Sequence, residues 1–141
     1  MSDRQKRCSG GCLCGALRYE ATGEPSYSGL CYCADCRKAS GSGFIPFMGF
    51  AADAVRIAGD VRQTHAKAAR GGTSIRNFCA ECSSLVFGGD IGKSEEYTIY
   101  AGSLDDPLEF KPAIAIFASK RPPWAVIPEG LTVFEALPPR G

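Results

Sequence analysis

Gly10-Gly-Cys-Leu-Cys-Gly-Ala-Leu-Arg-Tyr19 combines a closely spaced cysteine pair with the opening of a strand. Leu17 and Tyr19 alternate with Arg18 and Glu20, the period of an extended chain with one face buried. The two cysteines cannot share a metal from a straight strand. Sulfurs around a tetrahedral zinc lie roughly 3.8 Å apart when Zn–S is near 2.3 Å, whereas strand residues i and i+2 are about 6.6 Å apart. Cys12 and Cys14 therefore need a bend, which the flanking Gly10, Gly11 and Gly15 permit.

Outward from this stretch, seven of the eight cysteines form three groups: Cys12/Cys14, Cys31/Cys33/Cys36 and Cys79/Cys82. The C-x-x-C spacing in the last two is that of zinc knuckles. Eight cysteines in a short chain also fit a disulfide framework in a secreted domain. The charged start, Met1-Ser-Asp-Arg-Gln-Lys-Arg7, lacks the apolar stretch of a secretion signal. A reducing, cytoplasmic setting is therefore expected, and the thiols are expected to hold metal.

A closed structural zinc takes four ligands and a reactive one keeps three plus an open position. Cys79-Ala-Glu-Cys82 lies between strand candidates and offers two converging sulfurs from one turn. Paired with the bent Cys12 and Cys14, it makes a structural zinc site that ties the N-terminal segment to the middle of the chain. Cys31-Tyr-Cys-Ala-Asp-Cys36 then supplies three thiolates within six residues, a catalytic zinc site with one face of the metal uncovered. Cys8 and the single histidine, His65, are the alternatives for a fourth ligand there.

At 141 residues the chain suits one domain, expected over residues 8–135, with 1–7 and 136–141 as flexible termini. Sixteen basic and fifteen acidic residues leave a net charge of +1, without the cationic excess of a nucleic-acid binder. No run approaches the roughly 18 apolar residues of a membrane span. Neither nucleic acid nor membrane is an expected partner. Seventeen glycines and nine prolines leave little room for long helices.

Strands are predicted over residues 16–20, 27–30, 44–50, 55–58, 61–66, 73–78, 85–87, 97–100, 114–117 and 131–134. A helical turn is predicted over residues 34–39, with Gly41 as its stop. The expected fold is mainly β, with short antiparallel sheets stabilised by metal.

Five blocks of this chain occur in a known order and spacing: residues 10–19, 31–44, Phe78-Cys-Ala-Glu-Cys82, Ala101-Gly-Ser-Leu-Asp-Asp-Pro107 and Lys120-Arg-Pro-Pro-Trp124. Through them the chain resembles the glutathione-dependent formaldehyde-activating enzyme family, whose domain also occurs in centromere protein V. The resemblance implies a zinc fold of the β-tent type, with two Zn²⁺ per chain on the groups that geometry pairs. It also implies a carbon–sulfur lyase reaction in reversible form, joining glutathione and formaldehyde into S-hydroxymethylglutathione. Where the family often has histidine, glycine and histidine, this chain has Tyr32, Ser83 and Ala115.

Zinc held by three thiolates is a weak Lewis acid towards carbonyls but accepts a fourth soft sulfur. A thiol fits that position and would ionise near neutral pH. The expected substrates are thus a small-molecule thiol and a small aldehyde, and a non-catalytic zinc scaffold is the alternative. Arg37 and Lys38 are candidates to meet a carboxylate of glutathione, and Asp35 to orient a ligand. Ser40 and Ser42 are candidate donors near the metal. Asp105-Asp106-Pro107 reads as a turn, and Tyr32 and Trp124 read as packing residues.

Overall fold

The computed structural model describes residues 6–68 and 71–139. Among these residues the strands are β1 (Arg7–Gly11), β2 (Arg18–Thr22), β3 (Tyr27–Cys31), β4 (Ile45–Ala51), β5 (Val55–Ala58), β6 (Val61–Lys67), β7 (Thr73–Cys79), β8 (Leu85–Gly88), β9 (Glu96–Tyr100), β10 (Ile114–Ile116) and β11 (Thr132–Val133). The one α-helix, α1, spans Ala34–Ser40 and ends at Gly41, whose φ of 71° is the left-handed stop expected of glycine. The molecule is mainly β, as the alternation of apolar residues predicts.

β1, β2 and β5 form a three-stranded antiparallel sheet, and the other eight strands a second sheet in the order β11-β10-β3-β4-β9-β8-β7-β6. Two pairings depart from the antiparallel expectation: β10 runs parallel to both β3 and β11. The chain leaves β9 at Tyr100 and reaches β10 only at Ile114, a connection long enough to enter beside β3 in the same direction.

Period-two alternation divides the larger sheet into two faces. Met48, Phe50, Phe87, Tyr97 and Ile99 point towards the three-stranded sheet and share a core with its Leu17, Tyr19, Ala21 and Val55, which Val86 joins out of alternation where the β7–β8 register shifts. Their strand neighbours Ile45, Phe47, Thr98, Tyr100 and Gly88 line a cavity instead. A second group, Leu30, Tyr32, Ala115 and Ala125, packs beside the start of α1.

β1 has little strand propensity, since Ser9, Gly10 and Gly11 lack side chains suited to a pleated surface. It forms through its antiparallel ladder to β2, and Tyr19, opposite Gly10, leaves no room there for a side chain. A Cβ on Gly10 would lie 2.4 Å from the Tyr19 hydroxyl, which is bonded to Ser103 Oγ at 2.8 Å.

Backbone pairing also reaches residues on either side of 8–135. Arg7 opens β1, while Phe117 N donates to Ala136 O at 3.0 Å and Ser119 Oγ to Glu135 O at 2.7 Å. Leu137 and Pro138 continue from there into the cavity wall. Of the expected flexible termini, residues 1–5 and 140–141 lie outside the described residues.

Trp124 is 68% exposed and not packed in a core. After Pro122-Pro123 a tight turn bonds Ala125 N to Pro122 O at 3.0 Å, so the small Ala125 enters the core and the indole lies over Gly43. All eight cysteines are free of disulfides. Among the described residues no helix is long and apolar enough to cross a membrane.

Gly49 faces Tyr27 across the β3–β4 pair, and a Cβ there would lie 2.1 Å from the ring's Cζ. Gly49→Ala should therefore lower unfolding free energy by about 1–3 kcal/mol through overpacking. Leu108→Ala, at an exposed site, should stay within about 0.5 kcal/mol. Urea denaturation of both variants checks this, and equal effects would contradict the packing assigned to Tyr27.

Candidate metal centres and cavity

The loop after β1 and the turn between β7 and β8 bring Cys12, Cys14, Cys79 and Cys82 together, with their sulfurs all within 4.8 Å of one another. Cys12 and Cys14 lie 3.6 Å apart and Cys14 and Cys79 lie 3.8 Å apart, close to the edge of a tetrahedral four-sulfur site. The first pair is bent by Cys12 N donating to Leu17 O and Gly15 N to Cys12 O. In the second arm, Ser83 adopts a φ of 64°, where a glycine is the easier residue. Leu17 N donates to Cys12 Sγ at 3.2 Å, and Glu81 N and Cys82 N donate to Cys79 Sγ at 3.3 and 3.4 Å. The Ser84 hydroxyl, 3.1 Å from Cys82 Sγ, is the main cause that lowers that thiol's pKa to about 5.

Cys31 ends β3, and Cys33 and Cys36 stand at the N-terminus of α1, again with sulfurs within 4.8 Å of one another. Cys33 is the helix N-cap: its sulfur accepts from Cys36 N at 3.3 Å, the part usually played by serine or aspartate. The neighbouring thiols of Cys31 and Cys36 hold Cys33 far below the usual thiol range. Cys31 is driven far above it, first by its contact with Cys33. Adjacent thiols cannot all ionise without a cation among them. Both donor sets therefore suit a divalent, thiophilic metal, which would let every thiol in the group ionise.

The two groups differ in what surrounds them. Cys31, Cys33 and Cys36 lie on the wall of a 510 Å³ cavity, and no member of the four-cysteine group does. That volume is within the roughly 300–1,000 Å³ range of small-molecule sites. Its walls mix apolar Tyr27, Phe47, Ile114, Ile116 and Phe117 with polar Asp35, Ser74, Arg76, Thr98 and Tyr100. Phe117 holds a φ of 55°, unusual for a bulky residue, where its own N–H and that of Ala118 are bonded to Ala136 O and Phe134 O.

Arg76 went unnoticed in the sequence. It sits on β7, 8% exposed, with Nη2 at 4.0 Å from Cys36 Sγ. The signal available was an arginine three residues before a cysteine pair in an otherwise strand-like run, which ordinary surface charge explains equally well.

Arg37 and Lys38 lie on α1 beside the three-cysteine group, but neither lines the cavity, and Lys38 is exposed. Asp35 does line it. Ser40 Oγ donates to Cys36 O at 2.8 Å and accepts from Ser42 N at 3.2 Å, so both serines finish the helix. Tyr32 is fully buried, with its hydroxyl donating to Val126 O at 3.0 Å. Ala115 is equally buried in the same cluster.

Cys8 belongs to the main core, where burial raises its pKa, and joins neither thiol group. His65 is exposed on β6, 3.2 Å from Gln63 Oε1, and likewise joins neither. Asp105 pairs with Arg18 and accepts from Ser9 Oγ, while Asp106 caps a short turn through Leu108 N at 3.0 Å.

A solved structure of a Rhodobacter sphaeroides protein, a structural-genomics target, is similar to this chain with a TM-score of 0.50 and 22% identity. The likeness covers 69% of this chain and 87% of that one, and it bears on the fold alone. No curated protein matches the chain. The family model for glutathione-dependent formaldehyde-activating enzyme matches residues 7–120. A match that runs from β1 past β10, over most of the length, establishes that the chain belongs to the glutathione-dependent formaldehyde-activating enzyme family.

Proposed function

We propose that the protein is a zinc-dependent carbon–sulfur lyase, acting in its synthetic direction as an S-hydroxymethylglutathione synthase, which adds a glutathione-type thiol to a small aldehyde such as formaldehyde. The observation that carries this reading is the position of Cys31, Cys33 and Cys36 on the cavity wall, while Cys12, Cys14, Cys79 and Cys82 lie elsewhere. In this reading the four-cysteine group holds a structural zinc and the three-cysteine group a catalytic one. Bound at the latter, zinc supplies a soft acid that favours the ionised form of an incoming thiol.

The chain's own residues do the rest. Cys31, Cys33 and Cys36 are ligands, not nucleophiles. The Cys36 N–H on Cys33 Sγ steadies one of them, as outer hydrogen bonds do in metal sites generally. Tyr27, Phe47 and Ile116 exclude water from one side of the cavity, and Thr98, Tyr100 and Arg76 supply its polar contacts. Holding thiol and aldehyde together turns a bimolecular encounter into an effectively unimolecular step. Arg37 and Lys38 enter this reading as contacts for a substrate carboxylate lying outside the cavity, since neither lines it. A cytoplasmic setting suits the chemistry, because a glutathione pool keeps thiols reduced there.

The purified protein should contain two zinc ions, one for each thiol group, and a strong chelator should unfold it. Cys36→Ser should remain folded, contain less zinc and lose turnover by more than the roughly 10–100-fold typical of losing an outer hydrogen-bond partner. Cys82→Ser should instead lose the folded state, because a broken structural site removes folding free energy. Metal analysis, circular dichroism and the rate of glutathione–formaldehyde adduct formation separate these outcomes. Equal unfolding by both variants, with no turnover in the wild type, would show a purely structural zinc module.

A further inference from the structure

Among the described residues, no ion pair with a carboxylate is seen for Arg76. It is 8% exposed, its Nε is buried without a hydrogen-bond partner, and Nη2 reaches only Cys36 Sγ, at 4.0 Å. The Lys6–Glu24 and Arg18–Asp105 ion pairs do not involve it. Opposite Arg76 in the β7–β8 register stands Gly88, which has no side chain to cover it, and both residues line the cavity. A guanidinium stays protonated at any working pH, and burying it without an anion is strongly unfavourable. Three thiolates of Cys31, Cys33 and Cys36 around a divalent metal would offset part of that charge. The remaining donors of the fork suit an anionic oxygen.

We infer that Arg76 is a catalytic residue that holds the negative oxygen developing two bonds from the substrate sulfur. This rests on the proposed thiol–aldehyde reaction. A sulfur that joins the Cys31, Cys33, Cys36 group becomes a neighbour of Cys36 Sγ, and Arg76 Nη2 is already one. An oxygen two bonds from that sulfur is therefore within reach of the guanidinium. No histidine lines the cavity, so what the site offers this oxygen is a fixed cation instead of an imidazole proton shuttle.

The thiol proton leaves to solvent, and the sulfur lone pair forms the C–S bond. The C=O π pair moves onto oxygen, where Arg76 meets it, and water then protonates it to the hemithioacetal hydroxyl. Reversal expels the sulfur, and neither direction needs an oxidant or reductant.

The test compares calorimetric binding of mercaptoacetate and 2-mercaptoethanol to the zinc-loaded protein. The two probes place an anionic and a neutral oxygen at the same number of bonds from sulfur. Wild type should prefer mercaptoacetate by about tenfold, the worth of one charge-assisted hydrogen bond. Arg76→Gln should lose the preference and Arg76→Lys should keep most of it.

In parallel, kcat for adduct formation should fall about 10²–10³-fold in Arg76→Gln, as when one oxyanion donor is removed. KM for glutathione should stay nearly unchanged, and the melting temperature checks that the variant is folded. Turnover without the preference in wild type would overturn the role alone, as would a loss in Arg76→Gln confined to KM, which marks a remote carboxylate contact. Preference without any wild-type turnover would overturn the reaction and the role with it.

Discussion

Seven thiols drawn into two groups, each within 4.8 Å internally, set the terms for the rest of this molecule. Crowded thiols cannot all ionise unless a cation lies among them, and contact between the thiols is the first cause that moves Cys31 and Cys33 from the usual thiol range. The backbone is arranged to favour the charged forms. Amide donors reach Cys12, Cys33 and Cys79, and the Ser84 hydroxyl reaches Cys82.

The two groups take different positions relative to the sheets. Cys12 and Cys79 belong to the core between the three-stranded and eight-stranded sheets, while Cys14 is exposed, so the four-thiol group joins two layers at the edge of their shared packing. Cys31, Cys33 and Cys36 sit on the opposite face, where Cys31 packs with Phe47 and Ile116 and the cavity begins. The same two-residue alternation that buries Met48 and Phe50 directs Ile45 and Phe47 into that cavity. Stability and access are thus separated by the pleat of one sheet.

Much of this was legible in the residues. β5 spans Val55–Ala58 as predicted, and α1 starts at Ala34 and stops at Gly41, because alternation, caps and glycine turns are local signals. Cysteine spacing foretold both groups, since a bend at Cys12-Leu-Cys14 and a knuckle at Cys79 leave few other ways to gather four sulfurs.

What remained hidden depends on distant partners. β1 is a glycine-rich segment made into a strand by pairing with β2, and β10 runs parallel because of where a long connection delivers it. Residues 137 and 138 read as a tail yet line the cavity. Arg76 looks like a surface residue of an alternating strand until the packing around β7 buries it. Trp124 misled through size alone, since the turn after Pro122 admits Ala125 instead.

The central claim is that the three-cysteine group binds a metal and leaves one coordination position open to a thiol entering from the cavity. X-ray absorption at the zinc edge, recorded with and without glutathione, tests it most directly. The account predicts that average sulfur coordination rises towards four when glutathione is added and that a lighter scatterer is displaced. Four sulfurs per zinc before addition, unchanged afterwards, would contradict it.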